Sequence, residues 1–249
     1  MQAIILAAGT GSRIPHITKH KPKGFILLGD KTLIEMSLDK LIKHGIKDIR
    51  IVAGYKSEFY ENLAKKYNGI VSVVKNEDYE ITGSMHSLYV ARNDISKDFL
   101  LLESDILYDE AGIEALLTAQ QKDVVLASGT TNSGDEVYIE VDKNSFLVNV
   151  SKKSSDLASI HSEFTGLNKI SISTYEKMCL IYEENSDRWS DKLEYEQFAI
   201  RKVSEFLDFY VLKIDDYLWC EIDEVQHLER AKKYIYPSIT KKENERSGL

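Results

Sequence analysis

The stretch MQAIILAAGTGSRIPHITKHKPK, Met1 to Lys23, opens on an apolar run from Ala3 to Ala8 that has the length and composition of a buried strand. The run breaks at Gly9-Thr10-Gly11-Ser12-Arg13, and a basic punctuation follows at Lys21-Pro22-Lys23. A strand feeding a glycine loop and then cations has the parts of a phosphate grip. Without side chains, Gly9 and Gly11 let the backbone turn tightly and bring its N–H groups against anionic oxygens, while Arg13 and Lys23 supply full positive charge.

Two better-known phosphate loops compete for this stretch. A P-loop ends its glycines in Gly-Lys-Ser/Thr, and no lysine follows Gly11. A dinucleotide-binding turn needs a third small residue where this chain has Ile14, and an acid about 20 positions on, near where Asp30 falls. A bare Gly-x-Gly after a strand marks a plain tight turn about as often as a phosphate site. The nicotinamide reading is weakened at this point and stays open.

The complete string Leu6-Ala7-Ala8-Gly9-Thr10-Gly11-Ser12-Arg13, followed by Pro22-Lys23, resembles the signature of the nucleotidyltransferases that join an NTP to a phosphorylated small molecule. The resemblance implies a glycine loop wrapped around the triphosphate, with Leu6, Ala8, Gly9, Gly11 and Ser12 against the nucleotide. It also implies catalytic cations, Arg13 on the outer phosphates and Lys23 near the reacting centre.

Bulk properties agree with an enzyme of this size. The 249 residues suffice for one large α/β domain with an ample core. A net charge of −8 argues against nucleic acid, whose backbone calls for a basic face, whereas a small polyphosphate needs only local cations. Cys179 and Cys220 lie far apart with no CxxC spacing, so two reduced thiols are expected and not a zinc site or disulfide. No apolar run approaches the roughly 20 residues of a membrane span, and the N-terminus lacks a signal peptide's basic region and cleavage site. A cytoplasmic location is the default expectation.

Along the chain, helical spacing from Thr32 to His44 and from Glu58 to Tyr67 alternates with apolar strands at Ile49 to Ala53 and Ile70 to Val74. Such alternation predicts parallel βαβ units, hence a Rossmann-like twisted, mostly parallel sheet with helices on both faces and its ligands at the carboxyl ends of the strands. The resemblance specifies the nucleotide-diphospho-sugar transferase type. A single domain is expected over residues 1–237, with acceptor-binding insertions around 130–205. The polar run after it, 238–249, reads as a tail or linker, to which a fused second domain beyond residue 249 is a possible sequel.

Thr82-Gly83-Ser84 breaks the pattern before a helical run, Met85 to Arg92, and places free N–H groups at a helix start. Taken as spacing alone it reads as a cap. The corresponding family loop reads the nucleotide base, which implies base and ribose roles for Thr82, Gly83, Ser84 and Ser87. At Asp98 to Asp105, an apolar strand ends in Glu103-Ser104-Asp105, where a carboxylate is costly unless it faces a crevice or a cation. A late acidic pair, Glu221 and Asp223, sits at i, i+2, so a strand puts both on one face, although Asp223 also has the position of a helix N-cap. By resemblance, Asp105 and Asp223 meet at one Mg²⁺ with Glu221 beside them.

Between these clusters, Asp123 to Gly129 reads as a strand, Val137 to Val141 with Phe146 to Val150 as a hairpin, and Glu163 to Gly166 as a returning strand. The segments Thr82 to Tyr89, Leu101 to Asp105, Ser133 to Tyr138 and Ser151 to Lys153 are similar to cytidylyltransferases that activate 2-aminoethylphosphonate, with phosphocholine cytidylyltransferases as near relatives. This implies CTP and a small zwitterionic phosphonate or phosphate ester as substrates, giving CMP-aminoethylphosphonate and pyrophosphate for lipid or glycan headgroups. A sugar-1-phosphate nucleotidyltransferase is the further alternative. A quaternary ammonium calls for an aromatic cage, and a primary ammonium for carboxylates that accept its three N–H donors. Two tryptophans, Trp189 and Trp219, against many glutamates favour the primary amine, with Glu136, Tyr138, Lys152, Glu163, Glu194 and Glu196 as acceptor-binding candidates. Tyr138 and Tyr195 remain as partial cage material.

Overall fold

The computed structural model describes residues 1–248. Strand β1 (Gln2–Ala7) leads into the glycine loop, one helical turn α1 (Pro15–Thr18) and a small ribbon of β2 (Leu27–Leu28) and β3 (Lys31–Thr32). Three alternations follow: α2 (Leu33–Lys43) and β4 (Ile49–Ala53), α3 (Ser57–Ala64) and β5 (Val71–Lys75), α4 (Ser84–Val90) and β6 (Phe99–Glu103). Then β7 (Ile106–Tyr108), α5 (Ala111–Thr118) and β8 (Val124–Ser128) lead to the hairpin β9 (Tyr138–Val141) and β10 (Leu147–Ser151). The long β11 (Ser162–Ile170), α6 (Ile172–Glu184), α7 (Arg201–Val203), β12 (Tyr210–Ile214), β13 (Trp219–Glu221), α8 (Val225–Arg230) and α9 (Tyr236–Ser247) complete the described chain.

The main sheet runs β10-β9-β11-β6-β1-β4-β5, with β8 pairing β11 and β12 pairing β8. β1 pairs in parallel with β4 and β6, and β4 with β5, as the alternation predicts. β11 returns antiparallel to β6, so the sheet is mixed beyond that point. Successive side chains of β1 point to opposite faces. Ile4 and Leu6 join a core layer with Leu101, Met85 and Phe198, while Ala3, Ile5 and Ala7 join the other layer with Ile34, Leu38 and Leu102. Both faces are therefore covered, which explains why β1 is apolar from Ala3 to Ala7 and not alternating.

Local chemistry sets the element ends. Thr32 is the N-cap of α2, its hydroxyl accepting from the Glu35 N–H while the Glu35 carboxylate accepts from the Thr32 N–H at 3.1 Å, a reciprocal box that starts the helix one residue inside the predicted span. The predicted hairpin pairs antiparallel, Val150 opposite Ile139, around a turn in which Asp142 accepts from the Asn144 and Phe146 N–H groups.

The run expected as a polar tail differs. Residues 236–247 form α9, which packs beside the third apolar cluster of Ile14, Leu28, Leu107, Ile222, Ile235 and Ile239. Charge ties it down: Lys242 and Arg246 pair with the buried Asp109 at 2.9 and 2.7 Å, and Glu243 with Lys40 at 3.1 Å. A polar run reads as a tail because its anchors are ion pairs to distant residues and not an apolar stripe. Leu249, the end of that expected tail, lies outside the described residues. No helix among the described residues is long and apolar enough to cross a membrane.

Candidate active site

The carboxyl ends of the adjacent parallel strands β1 and β6 open into a cleft of about 860 Å³. Its floor is the glycine loop. Gly11 holds φ +63°, and a Cβ there would stand 2.6 Å from the Thr18 methyl and 2.9 Å from Lys23 Cγ, so only glycine lets the loop fold down onto α1. Thr18 fixes the fold by donating its hydroxyl to the Gly11 carbonyl at 2.9 Å and the Ile14 carbonyl at 3.0 Å. Among the described residues, none accepts a hydrogen bond from the backbone N–H groups of 9–13. Leu6, Ala8, Gly9, Ser12 and Arg13 line the cleft, while Gly11 shapes the loop from beneath.

Asp105 and Asp223, 118 positions apart in the sequence, come together across one ammonium. Lys23 Nζ donates to Asp105 Oδ2 at 2.8 Å and also to Asp223, whose other oxygen pairs with Arg13. Asp223 does not cap α8: Glu224 holds the N-cap position and makes no side-chain capping bond. Glu221 lies between two carboxylate groupings. In one, Glu103, Asp105 and Glu221 have oxygens all within 4.8 Å of one another; in the other, Asp135, Glu221 and Asp223 do. Asp105 and Asp223 thus fall in separate groupings that share Glu221. Enclosure by protein atoms, and then the charge of Asp105, pushes the Glu221 carboxyl up to about 7. Glu103 is pushed well above the carboxylate range by the same enclosure and by Glu221, Glu196 and Asp105.

The loop before α4 departs from expectation. Its helix begins at Ser84, and the N–H groups expected to be free are taken: the Ser84 amide and hydroxyl both donate to Glu194, and the Met85 amide donates to the Leu193 carbonyl at 3.1 Å. The orphan donors of a helix start are satisfied here by a segment 110 residues away. Gly83 permits that approach, since a Cβ would sit 2.4 Å from the Leu193 carbonyl oxygen. Glu194, expected to bind the acceptor, is therefore engaged in capping, although it still borders the cleft. Thr82, Gly83, Ser84 and Ser87 line the cleft as well, and Ser87 accepts from the buried Asn76 at 3.0 Å.

Glu136, Tyr138, Lys152, Glu163 and Glu196 also line the cleft. Glu163 accepts from the Thr131 amide and hydroxyl, and burial pushes its carboxyl up to about 7. Glu196, enclosed and beside Glu194, is likewise pushed up to about 7. Tyr138 stands at the cleft wall with its hydroxyl 3.4 Å from Glu136. Trp189 and Tyr195 are absent from it: Trp189 stacks on Tyr182 at 5.0 Å, and Tyr195 is fully buried with its hydroxyl on Glu103. Lys153 does not reach the cleft, while Trp219 and Phe164 line it.

Sequence reasoning passed over Glu103, Asp135 and Arg230, which also line the cleft. Glu103 had a usable signal, because it stands two residues before Asp105 as Glu221 stands two before Asp223. Asp135 lay inside the Ser133 to Tyr138 segment quoted for the resemblance without being singled out, and Arg230 carried no signal, being brought in by a helix from the far end of the sequence. Asp135 lies 3.5 Å from His227 Nδ1 on α8.

This chain is similar to several proteins of known activity. It is 26% identical over 250 residues to the CTP:phosphoglutamine cytidylyltransferase of Campylobacter jejuni, a match spanning 92% of this chain and 98% of that protein. It is 34% identical over 108 residues to the choline-phosphate cytidylyltransferase of Streptococcus pneumoniae, covering 43% of this chain and 46% of that one. The CMP-5'-(3-aminopropyl)phosphonate synthase of Streptomyces rubellomurinus is 30% identical over 130 residues, 51% of this chain and 21% of that protein. In fold, the inositol-1-phosphate CTP transferase of T. maritima superposes with a TM-score of 0.81 at 20% identity, over 96% of this chain and 95% of that one. The model of the nucleotidyl transferase family matches residues 2–138, more than half of the sequence, and the chain belongs to that family of enzymes.

Proposed function

We propose that the chain is a cytidylyltransferase that moves CMP from CTP to 2-aminoethylphosphonate, releasing pyrophosphate. The observation that carries the reading is the convergence of Lys23, Asp105 and Asp223 beside the glycine loop, in a cleft also lined by Glu136, Glu163 and Glu196. The relatives' CTP chemistry supports the nucleotide, and the glutamate-rich wall, with Trp189 and Tyr195 turned into the core, supports a primary ammonium. Trp219, Phe164 and Tyr138 along the cleft favour phosphocholine as the second reading.

In this reading an oxygen of the phosphonate dianion forms a bond to the α-phosphorus of CTP as the bond to the β-phosphate oxygen breaks. The electron pair leaves with pyrophosphate. The nucleophile is already ionised, so no side chain need take a proton. The N–H groups of the glycine loop and Arg13 would hold the leaving phosphates, and Lys23, steadied by two carboxylates, would carry positive charge to the α-phosphate. Lys152 would offset the phosphonate while Glu163, Glu136 and Glu196 accept from the ammonium.

Carboxylate oxygens within 4.8 Å of one another, with a buried Asp135 oxygen that accepts no hydrogen bond, fit a hard divalent cation. Glu221 would hold Mg²⁺ with Asp105 and Glu103 on one side or with Asp223 and Asp135 on the other, and the ion when bound supplies charge neutralisation between the two anionic substrates.

The test crosses each NTP with 2-aminoethylphosphonate, phosphocholine and sugar 1-phosphates and reads pyrophosphate. Turnover greatest with CTP and aminoethylphosphonate is expected. Turnover greatest with phosphocholine would move the assignment to the second reading, and turnover only with a sugar phosphate would refute both.

A further inference from the structure

Tyr195 is the residue through which two parts of the cleft touch. It opens a π-helical segment, Tyr195–Ile200, a rare geometry that recurs at functional sites. Its backbone N–H donates to the Ser84 hydroxyl at 3.0 Å, and Ser84 in turn donates to Glu194. Its phenol hydroxyl donates to Glu103 at 2.7 Å and accepts from the Asn168 amide at 3.4 Å. Because Asn168 supplies a donor, the hydroxyl proton is directed at the carboxylate. Both Tyr195 and Asn168 are wholly buried, and the Tyr195 ring packs against Phe164 at 6.1 Å, so the hydroxyl has little freedom to turn away.

Glu103 stands with Asp105 and Glu221, three carboxylates whose oxygens lie within 4.8 Å. Without that donor, Glu103 would lose the hydrogen bond that fixes its side chain beside Asp105 and Glu221. Held by Tyr195 through one oxygen, it keeps its place among them. Residues that hydrogen-bond a cation's carboxylate ligands set the orientation of those ligands, and their loss typically weakens metal affinity or activity by about 10–100-fold.

We propose that Tyr195 is a positioning residue: its hydroxyl aims Glu103 into the cation-facing group with Asp105 and Glu221, while its amide anchors the loop that starts α4. This rests on the cation reading of that group and not on the identity of the acceptor. The phenol and the amide do separable work, so removing the hydroxyl disturbs the cation and spares the loop.

The test uses Tyr195→Phe, Glu103→Gln and the double variant, with Mn²⁺ as the cation probe. Mn²⁺ affinity is read by electron paramagnetic resonance in the presence of CTP, and CTP affinity by calorimetry in EDTA. Tyr195→Phe should weaken Mn²⁺ about 10-fold and leave CTP affinity in EDTA within about twofold, which a general loosening of the cleft would not do. Glu103→Gln should weaken Mn²⁺ comparably, and the double variant no further, because one group acts through the other. Unchanged Mn²⁺ affinity in Tyr195→Phe, or additive losses in the double variant, would overturn the proposal. If Tyr195→Phe does not fold, Asn168→Leu, which removes the donor that turns the phenol proton toward Glu103, takes its place: weakened Mn²⁺ binding supports the proposal, and wild-type affinity overturns it. None of these readouts needs turnover, so an enzyme that binds CTP and Mn²⁺ yet uses none of the acceptors refutes the proposed function and leaves this inference standing on its own result.

Discussion

Replacing Gly11 by alanine is the sharpest probe of the glycine loop, because two separate costs are visible at that position. Gly11 holds φ +63°, and an L side chain in the left-handed region costs roughly 1–2 kcal/mol. The new Cβ would also stand 2.6 Å from the Thr18 methyl and 2.9 Å from Lys23 Cγ, an overpacking that typically adds about 1–3 kcal/mol. Gly45 separates the two terms: it holds φ +82° with nothing within 4 Å of its Cβ position, so Gly45→Ala carries the backbone cost alone. At about 2–4 °C per kcal/mol for a chain near this size, Gly45→Ala should lower Tm by roughly 2–8 °C and Gly11→Ala by roughly 4–20 °C. Relief of the clash displaces Lys23, the ammonium that joins Asp105 to Asp223, and an error of about 1 Å in positioning costs on the order of 100-fold in rate. Gly11→Ala should therefore lose about 100-fold in kcat for pyrophosphate release, while Gly45→Ala keeps wild-type kcat. A Gly11→Ala enzyme with normal kcat and a Tm no lower than that of Gly45→Ala would refute the reasoning.

Three further outcomes follow from other parts of the molecule. Lys23→Met, which keeps the stem and removes the charge, should lower kcat by about 100-fold or more in the same assay if Lys23 carries the charge proposed for it at the α-phosphate. Burial raises the Glu163 carboxyl from its ordinary 4.5 to about 7, so its contribution to stability is full below about pH 4.5 and is lost as pH rises through 7; Glu163→Gln should flatten that decline in unfolding titrations across pH 5 to 8. Asp109→Asn leaves Lys242 and Arg246 without their buried anchor, and because both cations are about one-third exposed the cost should be about 1–3 kcal/mol, with hydrogen exchange accelerated in residues 236–247.

Much of this molecule is written locally. The apolar run of β1, the glycine loop and the βαβ alternation require only neighbours in sequence to be read, since periodicity and turn chemistry act over a few residues. That is why the parallel half of the sheet, the loop and the acidic ends of β6 and β13 were legible from residues alone. What the tertiary structure decided are the pairings between distant segments. Glu194 was legible as an acidic candidate for binding the acceptor, but only folding brings Leu193 and Glu194 onto the donors that open α4 and so converts a candidate ligand into a cap. Tyr195 has the composition of cage material and is instead buried under Glu103, and the polar end of the chain is a helix because Asp109 waits for its cations inside. Local sequence encodes the conformations that hydrogen bonds between near neighbours can hold, whereas the partners of a buried charge or hydroxyl are chosen by which segments the core brings together.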